Sequence, residues 1–390
     1  MINRRKIIKL GATGWLLSHV SPLANANTPS TRQPKIVWIV LRGAMDSLHA
    51  VVPTSDPHLK KHRADLIHPI IKNVLPLNKD FSLHPELKTL HQWYQQKQMA
   101  PVVAVASHRT RSHFEAQDKL ESGITGTDYN DGWLARAFQS YQIHYQVSQQ
   151  TTQKAEALAV ARSIPLSLRG KLPVSTVYPS TLPDAEADLY DRLAQLYQDE
   201  PLLSERLQAG LNTRDMLSED AKKSKRANFP QLAKMCGELL NQQKNTRCAM
   251  LEMSGWDTHN AQVNRLNRQF KTLDSGLKQL KQGLGKTWDD TIVVLATEFG
   301  RTVAINGSGG TDHGTGSALF LAGGCLNGGQ VFGQWPGLAK SQLYQGRDLQ
   351  PTSDTRSWLA TILQQHWQLT NKELATVFPD VNAINQQLII

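Results

Sequence analysis

Six residues of this sequence carry side chains that hold divalent cations, and each sits in a short polar segment beside an apolar run: Asp46, Asp257, His259, Glu298, Asp312 and His313. Carboxylate oxygens and imidazole nitrogens are the donors that zinc, manganese, magnesium and calcium sites use in different proportions. Asp257 and His259 are two residues apart, so on an extended segment they point the same way, as two ligands of one ion would. Asp312-His313 lies among glycines just before an apolar run, an uncommon arrangement for packing alone. Each residue taken singly has a plain structural use, Asp46 as a turn or helix-cap residue and Asp257 or Thr258 as a helix cap. Their recurrence at several strand ends is what points to a site for a divalent metal.

A second group is Ser107-His108-Arg109-Thr110-Arg111-Ser112-His113-Phe114-Glu115. Ser112 stands where a helix begins, with Glu115 at capping-box spacing. The same hydroxyl, flanked by Arg109, Arg111 and two histidines, is also placed to attack or bind an anionic phosphoryl or sulfuryl group at a helix N-terminus. Ser112, His113 and Arg111 are therefore the candidate catalytic residues. The sequence has no phosphate-binding loop with Gly-Lys-Ser/Thr, no His-Glu-x-x-His helix and no Gly-x-Ser-x-Gly elbow, which disfavours nucleotide enzymes, zincin proteases and serine esterases.

Elements able to position these residues are legible in the apolar pattern. Continuous runs at residues 36–41, 102–105, 249–251, 292–295 and 318–321 read as strands buried on both faces. Between them lie helical stripes, the longest being Val263, Leu266, Phe270, Leu273, Leu277, Leu280 and Leu284. Others run through Leu87, Leu90 and Trp93, and through Trp358 to His366 behind a cap at Ser353 or Asp354. Strands alternating with long helices predict an α/β protein, a three-layer α/β/α sandwich with a mostly parallel sheet, whose ligands bind beyond the carboxyl ends of the strands. Residues 145–245 are more polar, with short helical patterns, and read as a helical insertion in a domain spanning 35–390.

The N-terminus, Asn3-Arg4-Arg5-Lys6-Ile7-Ile8-Lys9 followed by an uncharged stretch and Ala24-Asn25-Ala26, reads as a twin-arginine export signal over residues 1–26 with a linker at 27–34. The expected partner is the twin-arginine export machinery and the expected location periplasmic. Four of the positive charges behind the net +10 lie in that leader. The rest are scattered and accompany no nucleic-acid motif, so nucleic acid is excluded as a partner, while an anionic ester or envelope polymer fits a mildly basic surface. Cys236, Cys248 and Cys325 allow at most one disulfide and form no metal motif. No other apolar run reaches the roughly 20 residues of a membrane span.

Leu41-Arg42-Gly43-Ala44-Met45-Asp46, Arg111-Ser112-His113-Phe114-Glu115, Asp131-Gly132-Trp133-Leu134-Ala135-Arg136, Gly255-Trp256-Asp257-Thr258-His259, Thr297-Glu298-Phe299-Gly300-Arg301-Thr302 and Asp312-His313-Gly314-Thr315, with the export signal, together resemble the domain-of-unknown-function 1501 family of exported bacterial proteins. The resemblance extends over nearly the whole mature chain and is similar to the sulfatase and alkaline-phosphatase superfamily, implying an alkaline-phosphatase-like fold and a bimetal hydrolase ancestry. It implies Asp46 as the first-strand metal aspartate, Ser112 near the nucleophile position, Asp257 and His259 near one metal pair, and His313 as the late metal histidine. Phe299 departs from the pattern by standing where a histidine ligand is expected, which bears on a second metal and on catalysis. Two functions follow: a metal-dependent hydrolase of phosphate or sulfate esters, or a non-catalytic binding or assembly protein that keeps the fold.

Overall fold

The apolar runs form the middle of one sheet because helices cover both of its faces. The computed structural model describes residues 32–127, 129–149, 156–179, 187–216 and 228–390; the leader at 1–26 and most of the 27–34 linker lie outside them. Among the described residues the main strands are β1 (Lys35–Arg42), β2 (Met99–Ala106), β3 (Glu156–Ala159), β4 (Val174–Thr176), β5 (Thr246–Ser254), β6 (Thr291–Ala296), β7 (Ser317–Ala322) and β8 (Ser353–Asp354). They pair in the order β8-β2-β7-β6-β1-β5-β3-β4. Only β7 runs antiparallel to its neighbours β2 and β6; the other pairings are parallel. That single reversal brings the segment before β7 to the same edge as the carboxyl ends of β1, β2, β5 and β6.

Alternation along β1 feeds two cores, Ile36, Trp38 and Val40 into one and Val37, Ile39 and Leu41 into the other. The first core is closed by α5 (Trp133–Gln149), α10 (Thr355–His366) and α11 (Asn371–Val377), through residues such as Phe138, Trp358, Ile362 and Leu374. The second is closed by α3 (Lys88–Gln95), α8 (Phe229–Gln242) and α9 (Gln262–Leu284). On α9 the predicted stripe from Leu266 to Leu284 is buried, while Val263 is only partly covered. Each fully covered leucine there stabilises the fold by about 1.5–3 kcal/mol. Asp354 caps α10 by accepting from the Arg356 amide.

The chain is thus an α/β protein of three layers around a mostly parallel sheet. Residues 145–245 hold α6 (Ala187–Leu196), α7 (Pro201–Asp215) and α8, but also β3 and β4, which continue the sheet beyond β5. Shorter helices α1 (Ser47–Ala50), α2 (Leu59–Ile67) and α4 (His113–Ser122) follow β1 and β2. All three cysteines are buried and free, so Cys236 and Cys248 form no disulfide. No helix among the described residues is long and apolar enough to cross a membrane.

Candidate metal centre

Loops at the carboxyl edge of the sheet bring five of the predicted residues together and leave one apart. His113 opens α4 after β2, Asp257 and His259 follow β5, Glu298 follows β6, and Asp312-His313 precedes β7. Two glycines permit the close approach of these loops. Gly43, at φ +118°, would place a Cβ 2.6 Å from the Asp257 nitrogen, and at Gly310 a Cβ would lie 2.3 Å from the His259 carbonyl carbon.

Two of the three imidazoles share one design. His113 donates its Nδ1–H to Glu298 Oε1 at 2.8 Å, His313 donates Nδ1–H to the Arg111 carbonyl at 3.0 Å, and His259 faces Asp312 Oδ1 through Nδ1 at 3.3 Å. A carbonyl or carboxylate oxygen can only accept, so His113 and His313 commit their ring protons outward and leave Nε2 as a lone pair, whereas His259 has a carboxylate oxygen at each ring nitrogen, the nearer being Asp257 Oδ1 at Nε2. His313 Nε2 lies 3.1 Å from Nε2 of both His113 and His259. Asp257 Oδ1 lies 2.9 Å from His259 Nε2 and 3.4 Å from His313 Nε2, with Oδ2 3.6 Å from His113 Nε2. Neutral imidazoles repel when their lone pairs face each other; a proton or a cation between them turns the repulsion into attraction.

Donor atoms of His113, Asp257 and His313 all fall within 4.8 Å of one another. A tetrahedral ion with bonds of about 2.0–2.1 Å sets its donors about 3.3 Å apart, close to the separations around His313. Outward Nδ1–H bonds to carboxylate or carbonyl are the usual way to fix the tautomer and orientation of a ligating histidine. The donor set therefore fits a divalent cation, and its nitrogen content suits a zinc-like ion better than magnesium or calcium, which take oxygen.

Electrostatics around the cluster are tightly balanced. Burial alone would raise the Asp257 carboxyl, but the Arg301 guanidinium, buried at 2% exposure, bonds its Oδ1 and with His259 and His113 holds it below the ordinary range. Arg301 also donates to the carbonyls of Gly43, Ala44, Trp256 and Thr311, tying the loops after β1 and β5 to the one before β7. The Glu298 carboxyl is likewise lowered: bonds from His113, its own amide, Gly43 N and the Thr297 hydroxyl outweigh its burial. His113 is raised, first by the Glu298 bond, whereas burial lowers His313. Asp312, exposed, is lowered by the Asn306 amide.

Asp46 does not join this set. Its Oδ1 accepts from Leu48 N, His49 N and Arg63 Nη1, and its Oδ2 from Arg63 Nη2 at 2.7 Å and Gln262 Nε2 at 2.6 Å, all out of solvent. A carboxylate with five donors has no lone pair left for an ion, and the guanidinium already neutralises it. Burial would raise this carboxyl too, yet Arg63 holds it well below its usual value. Ser112 is the N-cap of α4 as predicted, but the capping box does not form; Glu115 bonds Thr110 and Lys119 instead, and the Ser112 hydroxyl makes no cap bond. Arg111 turns away to Asp348 and Gln345, and contributes its carbonyl to His313. Arg109 lies over the Tyr344 ring.

Phe299, where the resemblance leads one to expect a ligand, packs its ring 4.9 Å from those of both His113 and His313 and walls the cluster. Sequence reasoning placed His113 among catalytic groups rather than cation donors, although it stands, like the others, directly beyond a strand end. It did not single out Arg63, Arg301 or Gln262, because no spacing pattern shows which buried polar partner a carboxylate will find. Glu252, near the end of β5, was also passed over: burial, then the charge of Glu121, raise its carboxyl, and Arg42 lies 3.6 Å away.

Residues 95–378 match the family model described as Protein of unknown function (DUF1501). Among solved structures the chain is similar to a phosphonate monoester hydrolase of Agrobacterium radiobacter, at 10% identity and TM-score 0.40, covering 86% of this chain and 74% of that one. It is similar also to the PsFucS1 sulfatase from Pseudoalteromonas sp., at 12% identity and TM-score 0.38, covering 91% and 71%. A third is a protein in the alkaline phosphatase superfamily from Vibrio parahaemolyticus, at 10% and 0.37, covering 86% and 66%. A search of curated proteins gives no match. At those scores chemistry is not carried by likeness, and rests on the atoms of the site.

Proposed function

The chain belongs to the DUF1501 family, and we propose that this member is a metal-dependent hydrolase of phosphate or sulfate esters built around one divalent cation. The observation that carries the proposal is the grouping of His113, Asp257 and His313 donor atoms within 4.8 Å of one another, with both rings oriented by outward Nδ1–H bonds. Among zinc, manganese, magnesium and calcium, the donor set favours zinc. A bound cation would supply Lewis-acid charge against the oxygens of the ester.

This chain's own residues would do the rest. His113, Asp257 and His313 would hold the ion, Glu298 orients His113, His259 lies against Asp257 and His313, and Arg301 sets the charge of Asp257. The Ser112 hydroxyl, exposed and without a cap bond, stands in the chain between the residue that supports His313 and the first imidazole, and is the nucleophile we assign: its oxygen would take the phosphoryl or sulfuryl group as the alkoxide leaves, its proton would pass to solvent, and water would then release the group and restore the hydroxyl. The departing alkoxide would take its proton from solvent. The partly exposed Arg42 and Arg347 side chains, each beside a carboxylate, favour an anionic substrate such as an ester-bearing envelope polymer. We further assign periplasmic location after twin-arginine export and removal of residues 1–26, which replacing Arg4 and Arg5 by Lys should block.

A second reading, a binding protein without turnover, draws on one observation: the first-strand aspartate is already occupied by Arg63, so a two-ion centre is not available. Purified protein isolated without chelator should contain one equivalent of metal and hydrolyse members of a phosphate and sulfate ester panel. One equivalent of metal with no turnover on any member, or a wild type that cannot be reconstituted with any divalent ion, would overturn the hydrolase and favour the binding reading.

A further inference from the structure

Besides His113, the cation donors Asp257 and His313 come from two loops far apart in the chain, and across them His259 and His313 hold their Nε2 atoms about a hydrogen-bond length apart. Asp257 and His259 flank Thr258 on one loop, and Thr311 precedes Asp312-His313 on the other. Both threonine hydroxyls donate to one atom, Gln262 Oε1, at 3.0 Å and 2.7 Å. Thr258, Thr311 and Gln262 are each completely buried. The amide cannot be turned round: Asp46 Oδ2 only accepts, so Nε2 must face it and Oε1 must face the hydroxyls. Asp46 is in turn immobilised by Arg63, whose remaining donors reach the carbonyls of Thr302 and Val303. At the backbone, Thr311 N donates to Thr258 O, and Gln262 N donates to Gly309 O in the glycine loop.

We propose that Gln262 is a positioning residue for the cation centre: through Thr258 and Thr311 it clasps the Asp257–His259 loop to the Asp312-His313 loop, and Asp46 with Arg63 is the anchor of that clasp. The proposal rests on the reading of the imidazole cluster as a cation site, and it gives Asp46 a role there at one remove. A buried amide that both donates and accepts is required, because a carboxylate at 262 would face Asp46 as a like charge and an apolar side chain would leave two buried hydroxyls without their acceptor and Asp46 Oδ2 with Arg63 alone.

The test uses cobalt(II) as the probe, read by the position and intensity of its visible absorption, with affinity by competition against a chromophoric chelator and thermal unfolding in excess chelator as control. Gln262→Met should weaken cobalt binding by about 10- to 100-fold, the range for loss of a group that orients ligands, and shift the absorption. The Thr258→Val/Thr311→Val double variant, a smaller change that tests the same clasp if Gln262→Met does not fold, should act in the same direction. Combining all three should cost little more than Gln262→Met alone, since they break one interaction. The proposal is overturned if the variants unfold at lower temperature in chelator but bind cobalt with unchanged affinity and spectrum, which is what a purely structural role gives. A wild type that binds no cobalt would sink the cation site itself, and that failure is told apart by appearing before any substitution.

Discussion

Two polar clusters lie beyond the sheet edge, and they solve the same electrostatic problem in opposite ways. Around Asp46 the positive charge is part of the chain: Arg63 pairs with the carboxylate, and both are withdrawn from water, at 0% and 1% side-chain exposure. Around His313 the negative and lone-pair character is left open: Asp257 and the imidazoles are between 27% and 44% exposed, and the nearby guanidiniums, Arg301 on Asp257 and Arg347 on the His313 carbonyl, do not bond the ring nitrogens. The first cluster is complete by itself, and the second is completed by something that enters from solvent. A metal-like list of residue types does not distinguish them, and neither does a buried arginine, since Arg301 lies against Asp257; the exposure of the donor side chains does.

The comparison breaks most visibly if the built-in cation is removed. Arg63→Met leaves a buried carboxylate unpaired and should cost about 3–5 kcal/mol in denaturant unfolding, with Asp46→Asn/Arg63→Met recovering part of it. Retention of stability together with uptake of a second equivalent of metal would mean that Asp46 is a latent ion site and that the two clusters are less different than they look. At the open cluster the expected pattern is inverted. His313→Ala should weaken cation binding by about 100-fold or more, equivalent to about 2.7 kcal/mol, while unfolding in chelator changes by less than about 1 kcal/mol. An equal loss of stability with and without metal would assign His313 to packing.

How far this contrast could be read from the sequence differs between its two halves. The strands at residues 36–41, 102–105, 249–251, 292–295 and 318–321 were legible because burial on both faces leaves an uninterrupted apolar run, and α9 because its stripe keeps one period for six turns. The short strands β3 and β4 were not, since Glu156–Ala159 and Val174–Thr176 are too brief and mixed to stand out from a polar segment. Asp257, His259, Glu298, Asp312 and His313 were found by their position after or before apolar runs. The partner of Asp46 was not, because Arg63 lies 17 residues further on in a helix of ordinary composition. Sequence shows where a charged side chain leaves a strand, but its neutralisation is settled by packing between distant elements.

A smaller effect sharpens the open side. Glu298→Gln keeps an oxygen for His113 Nδ1–H but removes its charge, and should weaken cation binding by about 10-fold. Unchanged affinity would leave Glu298 as a loop anchor through Gly43 and Thr297 only.

The smallest expected effect belongs to the closed side and appears with pH. Behind Asp46 lie His49 and His84, both fully buried, their rings 5.2 Å apart and stacked toward Phe270. Burial lowers His49 to about 3 and His84 to about 4. A histidine whose folded value lies below its unfolded value near 6.5 binds protons more readily in the unfolded chain, so stability rises with pH and is lost as pH falls below about 6.5. At pH 5.5 each such ring costs about 1.4 kcal/mol relative to neutral pH. His49→Gln should flatten the pH dependence of the urea midpoint between pH 6.5 and 4 by one proton, whatever it does to the midpoint at pH 8. Asp46 acts in the same sense at lower pH: its lowered carboxyl stabilises the fold above the ordinary carboxylate range and ceases to do so as pH falls through its folded value. A midpoint independent of pH between 6.5 and 4, in chelator so that metal loss does not intrude, would mean that these imidazoles reach water or take up protons in the folded protein. The cluster around Asp46 would then be open, and the distinction between a site completed by the chain and one completed from solvent would fall.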